Sequence, residues 1–175
     1  MEEAFELEIR RIIYDLVVKN PGLHARKIAE ILSLRGQLAD YHLAYLEKAG
    51  LITSTKEEGF RRYYAKGEIG TKDMKILSVL RRETPLRIVL FLLEHPGSLY
   101  KELYTQLNML KSGLTYHLKR LEQYGIIEHT LENEIRYSLV NAQEIFDLLV
   151  KYKPYTRMAR FNDTWVNLKW PKKRS

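Results

Sequence analysis

The segment Leu110–Ile127, LKSGLTYHLKRLEQYGII, contains the pattern from which the fold of this chain follows. It recurs 75 residues earlier as Arg35–Ile52, RGQLADYHLAYLEKAGLI, with the same Tyr-His-Leu triplet, Leu-Glu pair and glycine. The similarity extends back to an Asn-Pro-Gly and a His-Pro-Gly, and ten of the 34 positions from 20 to 53 are identical without a gap. Chance similarity does not keep register through a turn, a helix and a strand, so the sequence predicts a tandem duplication.

The first copy has the pattern of three helices and a hairpin. Apolar residues at helical spacing from Phe5 to Val17 predict a first helix, which ends at Asn20-Pro-Gly. A short second helix, a tight turn at residues 33–35 and a third helix to Ala49 follow. Two strands are then expected around a glycine-containing turn, at 51–55 and 60–65. The core side of the third helix is expected to carry Leu38, Leu43 and Leu46.

The second copy repeats this order of elements. Helices are predicted near 85–94, 100–107 and 111–124, and strands near 126–131 and 134–139. Thr84 and Pro85 are expected to be the N-cap and the first helical residue of the leading helix. The expected fold class is therefore mainly α with small β-hairpins (α+β), as two tandem winged helix-turn-helix domains plus a C-terminal helical extension.

Residues 110–127 resemble the recognition-helix region of ArsR-like winged-helix regulators. The resemblance lies in a hydroxyl-containing helix start, a His-Leu pair, a leucine three residues on, and Gly-Ile-Ile leading into the wing. The tandem arrangement is similar to that of archaeal winged-helix transcription regulators. The resemblance covers residues 5–66 and 85–140 and implies a DNA-binding fold, although winged helices also serve as protein–protein modules.

Four regions are expected along the chain. Residues 1–66 form the first winged-helix domain and 67–84 a linker helix, while 85–149 form the second domain and 150–175 a basic amphipathic helical tail. The chain carries 29 basic and 22 acidic residues, and the tail alone holds eight basic residues against Asp163. The net charge of +7 is therefore that of the tail, and residues 1–149 are neutral overall.

The third helix of a helix-turn-helix enters the major groove, so its outward residues are the candidates for base and phosphate contact. Lysines and hydroxyls at the groove entrance suit phosphate and base acceptors. In the second copy the outward set is Lys111, Ser112, Thr115, Tyr116 and Lys119. In the first copy it includes Arg35, Gln37 and Tyr41. Asp40 stands where the second copy has Thr115, which makes the first helix the weaker candidate.

The two wings differ in the opposite sense. The first wing carries Lys56, Arg61 and Arg62, which are candidates for contact with the DNA backbone. The second wing contributes Arg136 to the DNA-binding candidates, but its turn contains Glu132 and Glu134. Each copy therefore has half of a basic surface, and dimerisation or the tail would have to supply the rest.

The tail has an apolar stripe that predicts self-association. Met158, Phe161, Trp165 and Leu168 follow one another at spacings of three, four and three, on one helical face. An exposed stripe of this size favours a two-fold homodimer, and the alternative is that the stripe folds back on its own domain.

Several other classes of protein are disfavoured. The chain has no cysteine, which removes disulfides and thiolate metal sites, and it contains no phosphate-binding glycine loop or hydrolase motif. His42 and His117 occupy equivalent helical positions without ligand partners at metal spacing, so packing between helices is expected. We therefore expect no enzyme activity, metal or cofactor. With no long apolar run and an acidic start, a cytoplasmic protein without membrane contact is expected.

Together these patterns predict a sequence-specific transcription regulator bound to double-stranded DNA, with recognition helices in the major groove and wings on the backbone. The alternative is a tandem winged-helix adaptor whose partner is the basal transcription or chromosome machinery. The acidic second wing favours the adaptor, whereas Lys111, Ser112, Thr115 and Lys119 favour the regulator.

Overall fold

The computed structural model describes residues 2–57, 59–131 and 133–152, which form helices and short antiparallel strands in two compact units. The first unit is Met1–Ser78 and the second is Val79–Ser175. Helix α4 (Thr71–Leu80) spans the boundary and lies within the region expected to be a linker helix. Its residues from Ile76 onward are buried.

The first unit contains three further helices and a three-stranded sheet. Its elements are α1 (Glu2–Lys19), β1 (Leu23–His24), α2 (Ala25–Ile31), α3 (Gly36–Lys48), β2 (Ile52–Glu57) and β3 (Phe60–Ala65). The strand order is β1-β3-β2, and both pairings are antiparallel. The predicted hairpin is thus joined by a two-residue strand that the sequence pattern had not indicated.

The core of the first unit joins one face of α1 to the inner sides of α2, α3 and the sheet. Its buried members are Ile9, Ile13, Val17, Leu23, Ile28, Leu43, Leu46, Ile52 and Tyr63. Leu38, expected on the core side of α3, is half-buried and packs against this core, and its neighbour Ala39 is fully buried. Ala39 is the counterpart of Leu114 in the second unit, so the interior register of the two third helices is the same.

The second unit has the same order of elements. They are α5 (Glu83–Glu94), β4 (Ser98–Leu99), α6 (Tyr100–Gln106), α7 (Lys111–Gln123), β5 (Ile127–Leu131) and β6 (Ile135–Leu139), followed by α8 (Ala142–Tyr152). The sheet order β4-β6-β5 corresponds to that of the first unit. Helix α5 begins earlier than expected, with Arg82 as N-cap, so Thr84 and Pro85 lie inside its first turn rather than at its start.

A buried face of α7 fixes its orientation in the second unit. Leu114, Leu118 and Leu121 are buried at helical spacing, and burying each leucine contributes about 1.5–3 kcal/mol. Arg87 of α5 donates a hydrogen bond of 2.8 Å to the carbonyl of Leu107, at the end of α6. This contact helps to set the turn that leads into α7.

The turns before the third helices share an unusual backbone conformation. Ser33 has φ +53° and Asn108 has φ +49°, although neither is glycine. Both residues lie between the second and third helices of their units, at equivalent positions. The left-handed conformation is costly for residues with a Cβ, and Asn tolerates it better than most.

Candidate nucleic-acid interface

The exposed face of α7 carries the predicted contact set. Its five members, all on the solvent side of the helix, are Lys111, Ser112, Thr115, Tyr116 and Lys119. They are exposed because the leucines at the intervening positions are buried in the unit. The helix thus presents two cations, two hydroxyls and one phenol from its first three turns.

A hydrogen-bond network ties the start of α7 to the start of α6. The Tyr100 hydroxyl donates to the carbonyl of Lys111 at 2.7 Å and lies 2.9 Å from Oγ1 of Thr115. Thr115 Oγ1 also donates to the Lys111 carbonyl, at 3.0 Å. Thr115 is exposed, and its hydroxyl is hydrogen-bonded to other groups of the protein. Tyr100 is a member of this surface that sequence reasoning missed. The equivalent position in the first unit is Ala25, and this difference between the two units was the signal in the sequence that could have pointed to Tyr100.

Aromatic rings hold the cations along α7. The Lys111 ammonium lies 5.1 Å from the ring centroid of Tyr104, within the range of a cation–π contact. Arg120 donates to the hydroxyl of Tyr116 at 3.0 Å and lies 5.5 Å from the ring centroid of Tyr124. These contacts restrict the long side chains and reduce the conformational entropy that they would lose on meeting a ligand.

Helix α3 presents a less basic surface. Arg35, Gln37 and Tyr41 are exposed as predicted from their spacing, and Asp40 is exposed beside them. Further along α3, Arg10 of α1 stacks over the ring of exposed Tyr45, 3.7 Å from its centroid. The exposed start of α3 therefore offers one guanidinium and one carboxylate, whose charges cancel. We expect α3 to attract phosphate more weakly than α7 does.

The first wing carries two exposed cations on paired strands. Lys56 of β2 and Arg61 of β3 are cross-strand partners. Arg61 donates to Ser54 at 2.7 Å and forms an ion pair of 3.1 Å with Glu47 at the end of α3. Since this ion pair is exposed, it contributes little to stability and can exchange for a phosphate.

Arg62, which was predicted to contact DNA, lies in the interior. Only 6% of its surface is exposed, and its Nη1 donates a hydrogen bond of 2.8 Å to the carbonyl of Gly22. Its neighbour Arg61 points the other way because successive strand residues alternate between faces. Arg62 cannot contact DNA from this position. The equivalent Arg136 makes the same bond to Gly97 at 3.0 Å but remains exposed, so it stays among the candidates.

The second wing differs chemically from the first. Leu131 and Ile135 are cross-strand partners at the positions that correspond to Lys56 and Arg61. They are 72% and 43% exposed. Exposed Glu128 and Glu134 accompany them, while Glu132 lies outside the described residues. This wing therefore lacks the two cations that the first wing presents at the same register.

The equivalent histidines differ in burial, because His42 is buried in the first unit and His117 is half-buried in the second. His42 is 0% exposed and neither ring nitrogen has a hydrogen-bond partner. Burial, followed by the nearby Arg10 charge, lowers the pKa of His42 below the ordinary value of 6.5. Burial also lowers the pKa of His117. Both imidazoles are therefore neutral at pH 7 and take part in packing.

His24 has a different structural role at the start of α2. Its Nδ1 accepts a hydrogen bond of 3.1 Å from the Lys27 backbone N–H, which caps the helix. Burial lowers its pKa, and the Arg62 charge lowers it further, so the neutral ring keeps its acceptor. Among the described residues, no cluster of three or more potential metal ligands occurs. Over the same residues, no helix is both long enough and apolar enough to cross a membrane.

The predicted tail stripe, Met158, Phe161, Trp165 and Leu168, lies outside the described residues. The structure describes the chain up to Tyr152, at the end of α8. This helix buries Ile145, Leu148, Leu149 and Tyr152. The role of the tail therefore stays a prediction.

Comparison with known protein families finds a match to the segment of the second unit that contains α7. Residues 81–128 match the winged helix-turn-helix DNA-binding family. The matched segment runs from the residue before the α5 N-cap, through α6 and α7, into β5. A curated relative, an uncharacterized HTH-type transcriptional regulator of Methanocaldococcus jannaschii, is 36% identical over 137 residues. The match covers 78% of this chain, and the chain spans about a third (34%) of that relative's length.

Proposed function

We propose that this chain is a sequence-specific DNA-binding transcription regulator built from two tandem winged helices, and that it is not an enzyme. The observation that carries the proposal is the exposed face of α7, where Lys111, Ser112 and Lys119 project from a segment that matches a DNA-binding family. Cations and hydroxyls at the start of a third helix can meet phosphates and base edges in the major groove. The similar regulator supports the assignment to transcription.

The two units divide the contact between them. The second unit contributes the stronger recognition helix, α7, and Arg136. The first contributes Arg35 at the N-cap of α3, Gln37 and Tyr41 of α3, and the wing cations Lys56 and Arg61. Residues 85–149 hold six basic and eight acidic residues, so the second unit alone has little attraction for DNA. We therefore propose a cytoplasmic homodimer, assembled through the tail stripe, which doubles the contacts.

Footprinting on genomic fragments, followed by fluorescence anisotropy on the protected site, tests this function. Ser112→Ala should weaken specific binding by about 1–3 kcal/mol and leave binding to random DNA nearly unchanged. Lys119→Ala should weaken both and lower the salt slope by about one unit. Lys48→Ala is the matched control, because Lys48 is an exposed lysine at the far end of α3. Binding that does not depend on the DNA sequence, and that neither Ser112→Ala nor Lys119→Ala weakens, would exclude the function of a sequence-specific regulator.

The second candidate function is a protein–protein adaptor of the basal transcription machinery. One observation favours it: the second wing exposes Leu131 and Ile135 where the first wing has cations. An adaptor would bind DNA only weakly, with no protected site in the footprint. The same footprinting experiment therefore separates the two candidates.

A further inference from the structure

The second wing has an apolar surface that extends the core-facing side of its hairpin. Ile127, His129 and Leu131 alternate along β5 and therefore share one face, on which Ile127 is buried. Their partners on β6 are Leu139, Tyr137 and Ile135. Near the base this face packs inside the unit, but Leu131 and Ile135 extend it into solvent as a pair.

The equivalent pair in the first wing shows that this hairpin does not require apolar residues here. Lys56 and Arg61 hold the same register in a hairpin of the same topology. Formation of the hairpin therefore does not explain why Leu131 and Ile135 are apolar. Their exposure leaves apolar surface in contact with water. A cross-strand aliphatic pair is instead suited to contact with another apolar surface.

Charge limits what can cover the pair. Glu134 lies exposed next to Ile135, Glu128 lies exposed on the opposite face of β5, and residues 85–149 carry two more acids than bases. A second copy of the same wing would bring the same acids together, which disfavours wing-to-wing pairing. Phosphate is disfavoured for the same reason. A basic segment with an apolar stripe would match both the apolar pair and the acidic charge of this surface.

The chain itself contains such a segment after Tyr152. Residues 153–175 include the stripe Met158, Phe161, Trp165 and Leu168, and residues 150–175 hold eight basic residues and one acid. Fully extended, these 23 residues would span about 75 Å.

We propose that residues 153–175 of one copy dock on the second wing of a second copy, with the tail stripe against Leu131 and Ile135 and its cations against Glu134. Reciprocal exchange covers both wings and both stripes in one two-fold interface. The inference rests on the proposed function only in taking the homodimer from it. It assigns the Leu131 and Ile135 face of the second wing to assembly, while α7, Arg136 on the opposite face and the first wing remain for DNA.

The two tryptophans of the chain, Trp165 and Trp170, report on this contact because both lie in the tail. For the 175-residue chain we expect a mass near 41 kDa, twice 20.7 kDa, and tryptophans protected from acrylamide quenching. The test variant is Leu131→Lys with Ile135→Arg, which installs the first wing's residues on an exposed surface. It should give a monomer and raise the quenching constant at least twofold.

The matched control is Lys56→Leu with Arg61→Ile, the reverse exchange in the first wing. It should leave mass and quenching unchanged while weakening DNA binding. The proposal is overturned if the Leu131 and Ile135 variant keeps the dimer and the protected tryptophans, if the unsubstituted chain has exposed tryptophans, or if the tail is protected in a monomer. Loss of specific DNA binding with these results intact would overturn the proposed function and leave tail docking standing.

Discussion

Arg61 and Arg62 are neighbours in β3 with opposite surroundings, and replacing each by methionine separates two roles of the first wing. Methionine keeps an apolar stem and removes the charge, so the exchange isolates the contacts of the guanidinium. The Arg62 guanidinium donates a hydrogen bond of 2.8 Å to a backbone carbonyl in the interior, whereas the Arg61 guanidinium is exposed. The two variants have the same change in net charge and in side-chain type.

The expected loss of stability follows from these contacts. A buried hydrogen bond from a charged donor contributes about 1.5–3 kcal/mol, and Arg62→Met also leaves the Gly22 carbonyl without that donor. In a unit of this size each kcal/mol lowers Tm by roughly 4–8 °C. Arg61→Met breaks an exposed ion pair with Glu47 and should cost no more than about 1 kcal/mol.

Circular dichroism melting and fluorescence anisotropy with DNA measure the two effects separately. Arg62→Met should lower the melting transition of the first unit and, well below it, bind DNA as the native protein does. Arg61→Met should melt normally, bind all sequences more weakly and lower the salt slope by about one unit. A variant at Arg62 that melts normally but loses DNA affinity and salt dependence would refute the interior role of this arginine.

Two further predictions concern the packing of His42 and the turn at Asn108. The folded state keeps His42 neutral while the unfolded chain protonates near 6.5, so its contribution is fully present above pH 6.5 and is lost below. His42→Leu should therefore flatten the fall in unfolding free energy between pH 6.5 and 5, by up to about 1.4 kcal/mol per pH unit in urea titrations; an unchanged slope would contradict a buried neutral ring. Asn108→Val should destabilise the second unit by about 1–2 kcal/mol in urea, whereas Asn108→Gly should change it by less than about 0.5 kcal/mol, and equal effects would argue against the left-handed backbone.

Helical periodicity predicted the parts of this fold whose signal is repeated along the chain. The buried leucines at 114, 118 and 121 are an example, because a 3.6-residue period marks one face several times over. The burial of Ala39 was not predicted in this way. Ala39 is small and weakly apolar, so hydrophobicity alone indicated its neighbour Leu38, although the alignment with Leu114 pointed to Ala39 as the fully buried position.

Contacts between segments distant in the chain could not be predicted in the same way. The burial of Arg62 depends on the two-residue strand β1, which pairs with β3 and is too short to show alternation. Residue type alone therefore placed Arg62 with Arg61 on the surface. The network from Tyr100 to Thr115 also needs the geometry of two helices, 15 residues apart in sequence.

The bond from Arg62 to Gly22 also has a mechanical consequence. Together with the bond from the Gly22 N–H to the Tyr63 carbonyl, it fastens the wing to the turn that precedes α2. The second unit repeats both bonds at Gly97, so each wing is fastened to the turn that precedes the second helix of its unit. If the fastened wing contacts DNA as proposed, a duplex that does not fit its position has to bend, at an elastic cost on the order of 1–6 kcal/mol. Sites containing flexible pyrimidine–purine steps would then be preferred, even at base pairs that no side chain touches.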